Sequence, residues 1–368
     1  MVQKYMPRHL AAAAATLALL TGQLCAPAAG LVSESTMPPQ YKEVIKPELA
    51  QKYTYTQDGD YSKSLGVPTY EWMPANGCPR AVIIGVHGLT LHGRRYRVLA
   101  RMLAANGVGF VAFDMRGFGR CRFDDNNVFN TDPKDNKRKV DHEKSYQDLV
   151  TLTKLVNQKY PDLPIVVLGE SLGCTFCVRV AGELPDIVDG IILSAPAVHV
   201  NPKMYATPSD IKQGIKAIVS LHHEVDLHAF ITQLVSSRQE VVDEMLDDPH
   251  ILKKLPIGAL LHTDEFVAKT SKWGKNVSCH LAVLIIQGSQ DGCVAPKHVT
   301  DLMMNMPSEN VRLAWRAHYG HLQLETMFMR AAIIDAIGSW LDDQSKENKV
   351  AMKTLAEDVV NAGGTVTP

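Results

Sequence analysis

Apolar residues fall into two patterns along this chain, and the patterns alternate. Short runs rich in β-branched residues occupy 81–86, 108–113, 165–168, 188–193, 281–287 and 311–315. Uninterrupted apolar runs of that length predict strands buried on both faces of a sheet. Between them, apolar residues return every three or four positions at 94–106, 143–160, 174–184, 297–305 and 324–341, the spacing of amphipathic helices. Strand and helix in alternation predict an α/β protein with a mostly parallel sheet and helices on both faces. Residues 62–74 predict one or two further strands at the sheet edge.

The rhythm breaks once. Residues 198–279 contain helix-like segments at 208–221, 229–235, 239–246 and 257–273, and no convincing strand. An insertion placed after the sixth strand, on the side where open α/β sheets bind ligands, predicts a helical cap over a site. Its apolar residues would line an acyl-sized cavity, or pack only on one another. The expected organisation is a leader (1–30), an extended lead-in (31–61), a core in two pieces (62–200 and 280–342), a helical cap (201–279) and a polar C-terminal tail (343–368). The charged stretch 120–141 reads as a surface loop, with disorder or a partner contact as alternatives.

Composition narrows the class. The 368 residues are 46% apolar and 21% charged, with a formal net charge of -1. That is an ordinary globular balance, and no basic stripe marks the chain as a nucleic-acid binder. Lys4 and Arg8 precede an apolar run at 10–20 and a small-residue stretch at 26–30, which predicts a cleaved signal peptide and an exported protein, periplasmic or secreted. A buried N-terminal helix is the alternative. Six cysteines follow the leader: Cys78, Cys121, Cys174, Cys177, Cys279 and Cys293. Cys279 and Cys293 flank a strand that would hold them about 20 Å apart, beyond disulfide reach. Cys174 and Cys177 form C-x-x-C at the start of an apolar helix, where packing outweighs redox chemistry. No disulfide is expected.

Chemistry concentrates at the strand ends. Gly169-Glu170-Ser171-Leu172-Gly173 is G-x-S-x-G between a buried strand and a helix, the context of a serine nucleophile on a sharp turn. Asp291 follows the strand at 281–287, and His321 follows the strand at 311–315. Serine, aspartate and histidine in that chain order match the α/β-hydrolase arrangement, in which histidine takes the serine proton and aspartate orients the imidazole. The backbone N–H groups of Leu89, after His87-Gly88, and of Leu172, after the nucleophile, are the natural oxyanion donors. His318 competes with His321 as the base; His321 is preferred because it follows Gly320 and precedes an expected helix start at Leu322. His222, His223 and His228 suggest zinc but do not make H-E-x-x-H, and a solvated cap face is the simpler reading. Glu170 has no assigned role beyond a structural one beside the turn.

These residues carry a resemblance. His87-Gly88-Leu89, His92-Gly93-Arg94-Arg95-Tyr96, Asp114-Met115-Arg116-Gly117-Phe118-Gly119, the nucleophile motif, Gln287-Gly288-Ser289-Gln290-Asp291 and Asp247-Asp248-Pro249 together resemble the monoacylglycerol lipase and lysophospholipase group of α/β-hydrolases, which is serine aminopeptidase S33-like. The likeness spans about residues 62–342. It implies a metal-independent carboxylic-ester hydrolase with no cofactor, a helical cap, an acyl-enzyme intermediate, and a small apolar ester as substrate, such as a monoacylglycerol or lysophospholipid. A thioesterase, a small-substrate peptidase or an acyltransferase would use the same triad. A non-catalytic binding protein on this scaffold is the reading from another class. Peripheral contact with a lipid surface and the oligomeric state stay open. Cys174 stands where the group often has a second glycine, which predicts a slightly wider gap between helix and strand.

Overall fold

A computed structural model describes residues 47–123, 128, 130–132, 134–199 and 221–344. The leader at 1–30, the first part of the lead-in, the cap segment at 200–220 and nearly all of the tail lie outside the described residues, as does part of the 120–141 loop. Eight strands form one sheet: β1 (Tyr53–Gln57), β2 (Thr69–Pro74), β3 (Ala81–Val86), β4 (Val108–Phe113), β5 (Ile165–Glu170), β6 (Gly190–Ser194), β9 (Ala282–Gly288) and β10 (Asn310–Arg316). Their spatial order is β1-β2-β4-β3-β5-β6-β9-β10. The pairs from β4 through β10 are parallel, and β1 and β2 are antiparallel additions on one side.

The apolar runs are continuous because both faces of the sheet are covered. On one face Val82, Ile84, Val167, Ile191, Val283 and Ile285 join one core. Their neighbours Ile83, Leu168, Ile192, Leu284 and Ile286 join a second core on the other face. Each such side chain, fully removed from water, contributes about 1.5–3 kcal/mol before the entropy of ordering is subtracted. The helices α1 (Arg97–Ala105), α2 (His142–Lys159), α3 (Leu172–Glu183), α4 (Gln239–Asp247), α5 (Ile257–Val267), α6 (Pro296–Asn305) and α7 (Ala331–Asp343) supply or flank these layers. Asp141 caps the start of α2, its side chain accepting from Lys144 N–H.

Four expectations change. The sheet begins at Tyr53, inside the stretch read as a lead-in, because Tyr53 and Tyr55 pack inward while Thr54 and Thr56 face out. Residues 62–74 give one strand, and it lies second in the sheet, not at the edge; Asp60–Leu65 is a short helix closed by Gly66. The insertion does contain strands, since β7 (Glu224–Asp226) and β8 (Lys254–Pro256) pair antiparallel. Finally, the helix expected over 324–341 runs only from Ala331 to Asp343. Residues 322–330 form an irregular loop whose backbone is held by distant carboxylates instead of by its own turn-to-turn bonds.

Candidate active site

Ser171 stands between β5 and α3 with φ 54° and ψ −116°. A non-glycine residue in that region costs about 1–3 kcal/mol. The surroundings hold it there: Ser171 N–H donates to Ser194 O at 2.9 Å, and Ala197 N–H donates to Ser171 O at 3.2 Å. The flanking glycines are required by contact. A Cβ on Gly173 would lie 2.0 Å from Val86 O, and one on Gly169 would lie 2.4 Å from Gly173 C. The helix therefore rests directly on β3 and β5. Cys174 is accommodated in this close packing, its thiol donating toward Gly169 O and Ser194 O.

Asp291 and His321 meet although 30 residues separate them. His321 Nδ1 lies 2.9 Å from each Asp291 carboxylate oxygen. A carboxylate can only accept, so Nδ1 carries the proton and Nε2 is left as the basic nitrogen. Cys293 N–H and Val294 N–H both donate to Asp291 Oδ1 at 2.9 Å, and Gln287 Nε2 donates to Oδ2 at 3.1 Å. Burial raises the Asp291 carboxyl, but the His321 charge and these donors outweigh it and hold the group below the usual carboxylate range. Burial lowers the His321 imidazolium, and Asp291 outweighs that too, so its pKa lies above 6.5.

His318 sits elsewhere. It is exposed, has φ 64°, and its Nδ1 lies 3.5 Å from Gln290 Nε2; among the described residues it faces no carboxylate.

The two expected oxyanion donors lie on different elements. Leu172 opens α3, whose N-terminus adds a favourable dipole. Leu89 follows β3, in a turn fixed by His87. Met115 N–H donates to His87 Nε2 at 2.9 Å, so that nitrogen is unprotonated and Nδ1–H donates to Gly88 O at 2.8 Å. Burial pushes the His87 pKa down to about 3, which keeps this neutral tautomer. Among the described residues neither Leu89 N–H nor Leu172 N–H donates to another group of the chain. Such amides can stabilise a developing oxyanion.

Sequence reasoning missed several residues. Gln287 was visible only as part of a motif, and Glu170 had no assigned contact. Arg95, Glu244 and Asp248 form a buried cluster: Arg95 Nη1 lies 2.8 Å from Glu244 Oε1 and 3.3 Å from Asp248 Oδ2, and His92 Nε2 lies 3.1 Å from Asp248. His92, Asp248 and His250 have the donor set of a metal site. Arg95 already neutralises Asp248, and Arg94 Nη2 lies 3.5 Å from His250 Nδ1, so a cation there would share the space with two guanidinium groups. The cluster instead pins the insertion to the loop after β3. The other three-residue grouping is Asp291, Cys293 and His321. Burial pushes the Cys293 thiol up, away from the thiolate a metal would need.

A strained serine at a strand-to-helix elbow and an aspartate-bound histidine, set at the ends of strands in one mostly parallel sheet, are the features of an α/β-hydrolase. The sequence profile described as "Serine aminopeptidase, S33" matches residues 77–325, and the chain belongs to that family. It is a monoglyceride-lipase-like member. It is 25% identical over 274 residues to the monoglyceride lipase of Mus musculus, covering 73% of this chain and 84% of the mouse protein. It is 24% identical over 281 residues to the monoacylglycerol lipase of Mycolicibacterium smegmatis, covering 73% and 90%. A soluble variant of monoglyceride lipase from Saccharomyces cerevisiae, solved with a substrate analog, shares the fold at a TM-score of 0.64 and 21% identity, covering 84% of this chain and 99% of the yeast chain.

Proposed function

We propose that the protein is a serine carboxylic-ester hydrolase acting on small apolar acyl esters, with monoacylglycerol or lysophospholipid as the substrate class. The observation that carries this reading is the Asp291–His321 pair, with Nδ1 committed to the carboxylate. His321 Nε2 takes the Ser171 proton as Oγ attacks the ester carbonyl. Leu89 N–H and Leu172 N–H receive the oxyanion, and His321 returns the proton to the leaving alcohol. Water then hydrolyses the acyl-enzyme by the same route. The insertion between β6 and β9 acts as the cap; its segment 200–220 lies outside the described residues.

The test is a fluorophosphonate probe followed by p-nitrophenyl esters of increasing chain length, beside a monoacylglycerol, a lysophospholipid and a thioester. Ser171→Ala should lose labelling and turnover, and labelling that persists rejects the nucleophile. His321→Ala should lose nearly all turnover, whereas His318→Ala should retain most of it.

Export belongs to the same proposal and rests on residues 1–30, outside the described residues. Among the described residues no helix is long and apolar enough to cross a membrane. A mature N-terminus near residue 30, found by sequencing protein from outside the cytoplasm, is the expected result. An intact leader in the cytoplasm rejects it.

A further inference from the structure

Glu170 is the last residue of β5, it directly precedes Ser171, and its side chain is wholly buried. Its Oε1 accepts from Gln323 N–H at 2.7 Å, Leu324 N–H at 3.0 Å and Ser194 Oγ–H at 2.8 Å. Its Oε2 accepts from Leu324 N–H at 3.1 Å and Glu325 N–H at 2.9 Å. Three consecutive amides turned onto one carboxylate form an anion nest, here filled by a side chain of the protein itself. The nest begins two residues after His321. Glu325, at its end, reaches a third element: its Oε2 accepts Gly88 N–H at 2.8 Å, one residue before Leu89.

We propose that Glu170 is a positioning residue, whose carboxylate sets the His321 loop, and through Glu325 the Leu89 turn, in register with the serine beside it. This rests on the hydrolase reading above. The chain from Ser171 to Leu89 is continuous: nucleophile, Glu170, the amides of 323–325, the Glu325 carboxyl, then Gly88. The two carboxyls differ in what surrounds them. Burial raises the Glu170 carboxyl, and the Gln323 and Glu325 amides, the Ser194 hydroxyl and His321 oppose that rise. Burial, together with the Glu170 charge, holds the Glu325 carboxyl well above the usual range. Facing His321 are the Asp291 carboxylate and Cys293 thiol from the loop after β9, Glu170 from β5, and the neutral Val235 carbonyl from the insertion. Glu170 is therefore a second negative charge acting on the imidazolium.

The experiment is steady-state kinetics across pH on full-length Glu170→Gln, Glu170→Asp, Glu325→Gln and Glu325→Leu, with thermal melts. An amide at 170 offers one acceptor oxygen and turns N–H groups onto backbone N–H groups. Glu170→Gln should lose kcat on the order of 100-fold with KM little changed, and the acid limb of kcat/KM should move to lower pH. Glu170→Asp keeps the charge, so it should lose kcat while its acid limb stays nearer the wild-type position. Glu325→Gln keeps an acceptor for Gly88 and should lose on the order of tenfold less than Glu325→Leu. A folded Glu170→Gln with wild-type kcat and acid limb overturns the proposal. If that variant does not fold, Glu170→Asp decides: loss expressed only in KM, or no loss, overturns it. A wild-type protein that neither labels nor turns over rejects the hydrolase reading itself, which separates the two failures.

Discussion

Arg95 and Glu244 lie 149 residues apart in the chain and 2.8 Å apart in space, both fully excluded from water. Arg95 also donates from Nε to Glu325 O at 2.9 Å, and Glu244 accepts from Thr326 Oγ–H and Met327 N–H. One ion pair thus joins the loop after β3, the insertion and the loop after β10. Removing one partner of a buried pair strands the other charge, so Arg95→Ala should destabilise by about 3–5 kcal/mol. Urea denaturation measures it, and a loss below 1 kcal/mol would show that water reaches the pair.

The base proposed above, His321, has a predictable pH response. Since Asp291 holds the His321 pKa above 6.5, kcat/KM should fall as pH drops through that raised value, where the imidazole gains its proton. Asp291→Asn should cut kcat on the order of 10⁴-fold and shift the acid limb to lower pH. The raised pKa also has a folding consequence. Its stabilisation is complete below the unfolded value and is lost as pH rises through the folded one.

His142 runs the other way. Burial depresses its pKa to about 4, with Nε2 2.7 Å from Thr263 Oγ1. The unfolded chain then binds the extra proton as pH falls below about 6.5, so this group costs stability on acidification. Wild type should lose about 2 kcal/mol relative to His142→Gln between pH 7 and pH 5. The comparison with the variant is needed because the buried Glu325 carboxyl, raised in the fold, contributes with the opposite sign.

Strain at Ser171 should be recoverable as stability. At φ 54° and ψ −116°, glycine relieves a conformation that alanine keeps. Ser171→Gly should melt above Ser171→Ala by an amount equivalent to about 1 kcal/mol, both being inactive. Equal melting temperatures would place no strain at the elbow.

Much of this was legible in the sequence, for physical reasons. The central strands are buried on both faces, so their apolar runs are uninterrupted and easily read. Ser171, Asp291 and His321 sit at strand ends, where a polar residue after such a run stands out. Tyr53–Gln57 was hidden because threonines alternate with its tyrosines on the outer strand. The loop at 322–330 misled because Leu324, Met327 and Phe328 imitate helical spacing. Its conformation is decided by Glu170 and Glu244, 153 and 83 residues away, and no local pattern reports such partners. Asp248 and Arg95 were visible as motif letters, but their pairing appears only in three dimensions.

Val235, at the end of a π-helical turn in the insertion, gives one carbonyl to two amides, His321 N–H at 3.0 Å and Leu322 N–H at 3.1 Å. A shift of this turn by more than about 1 Å would break both bonds together. The insertion and the loop that carries His321 are therefore tied through a single oxygen, and displacing Val235 would free the backbone of His321 and Leu322 at once.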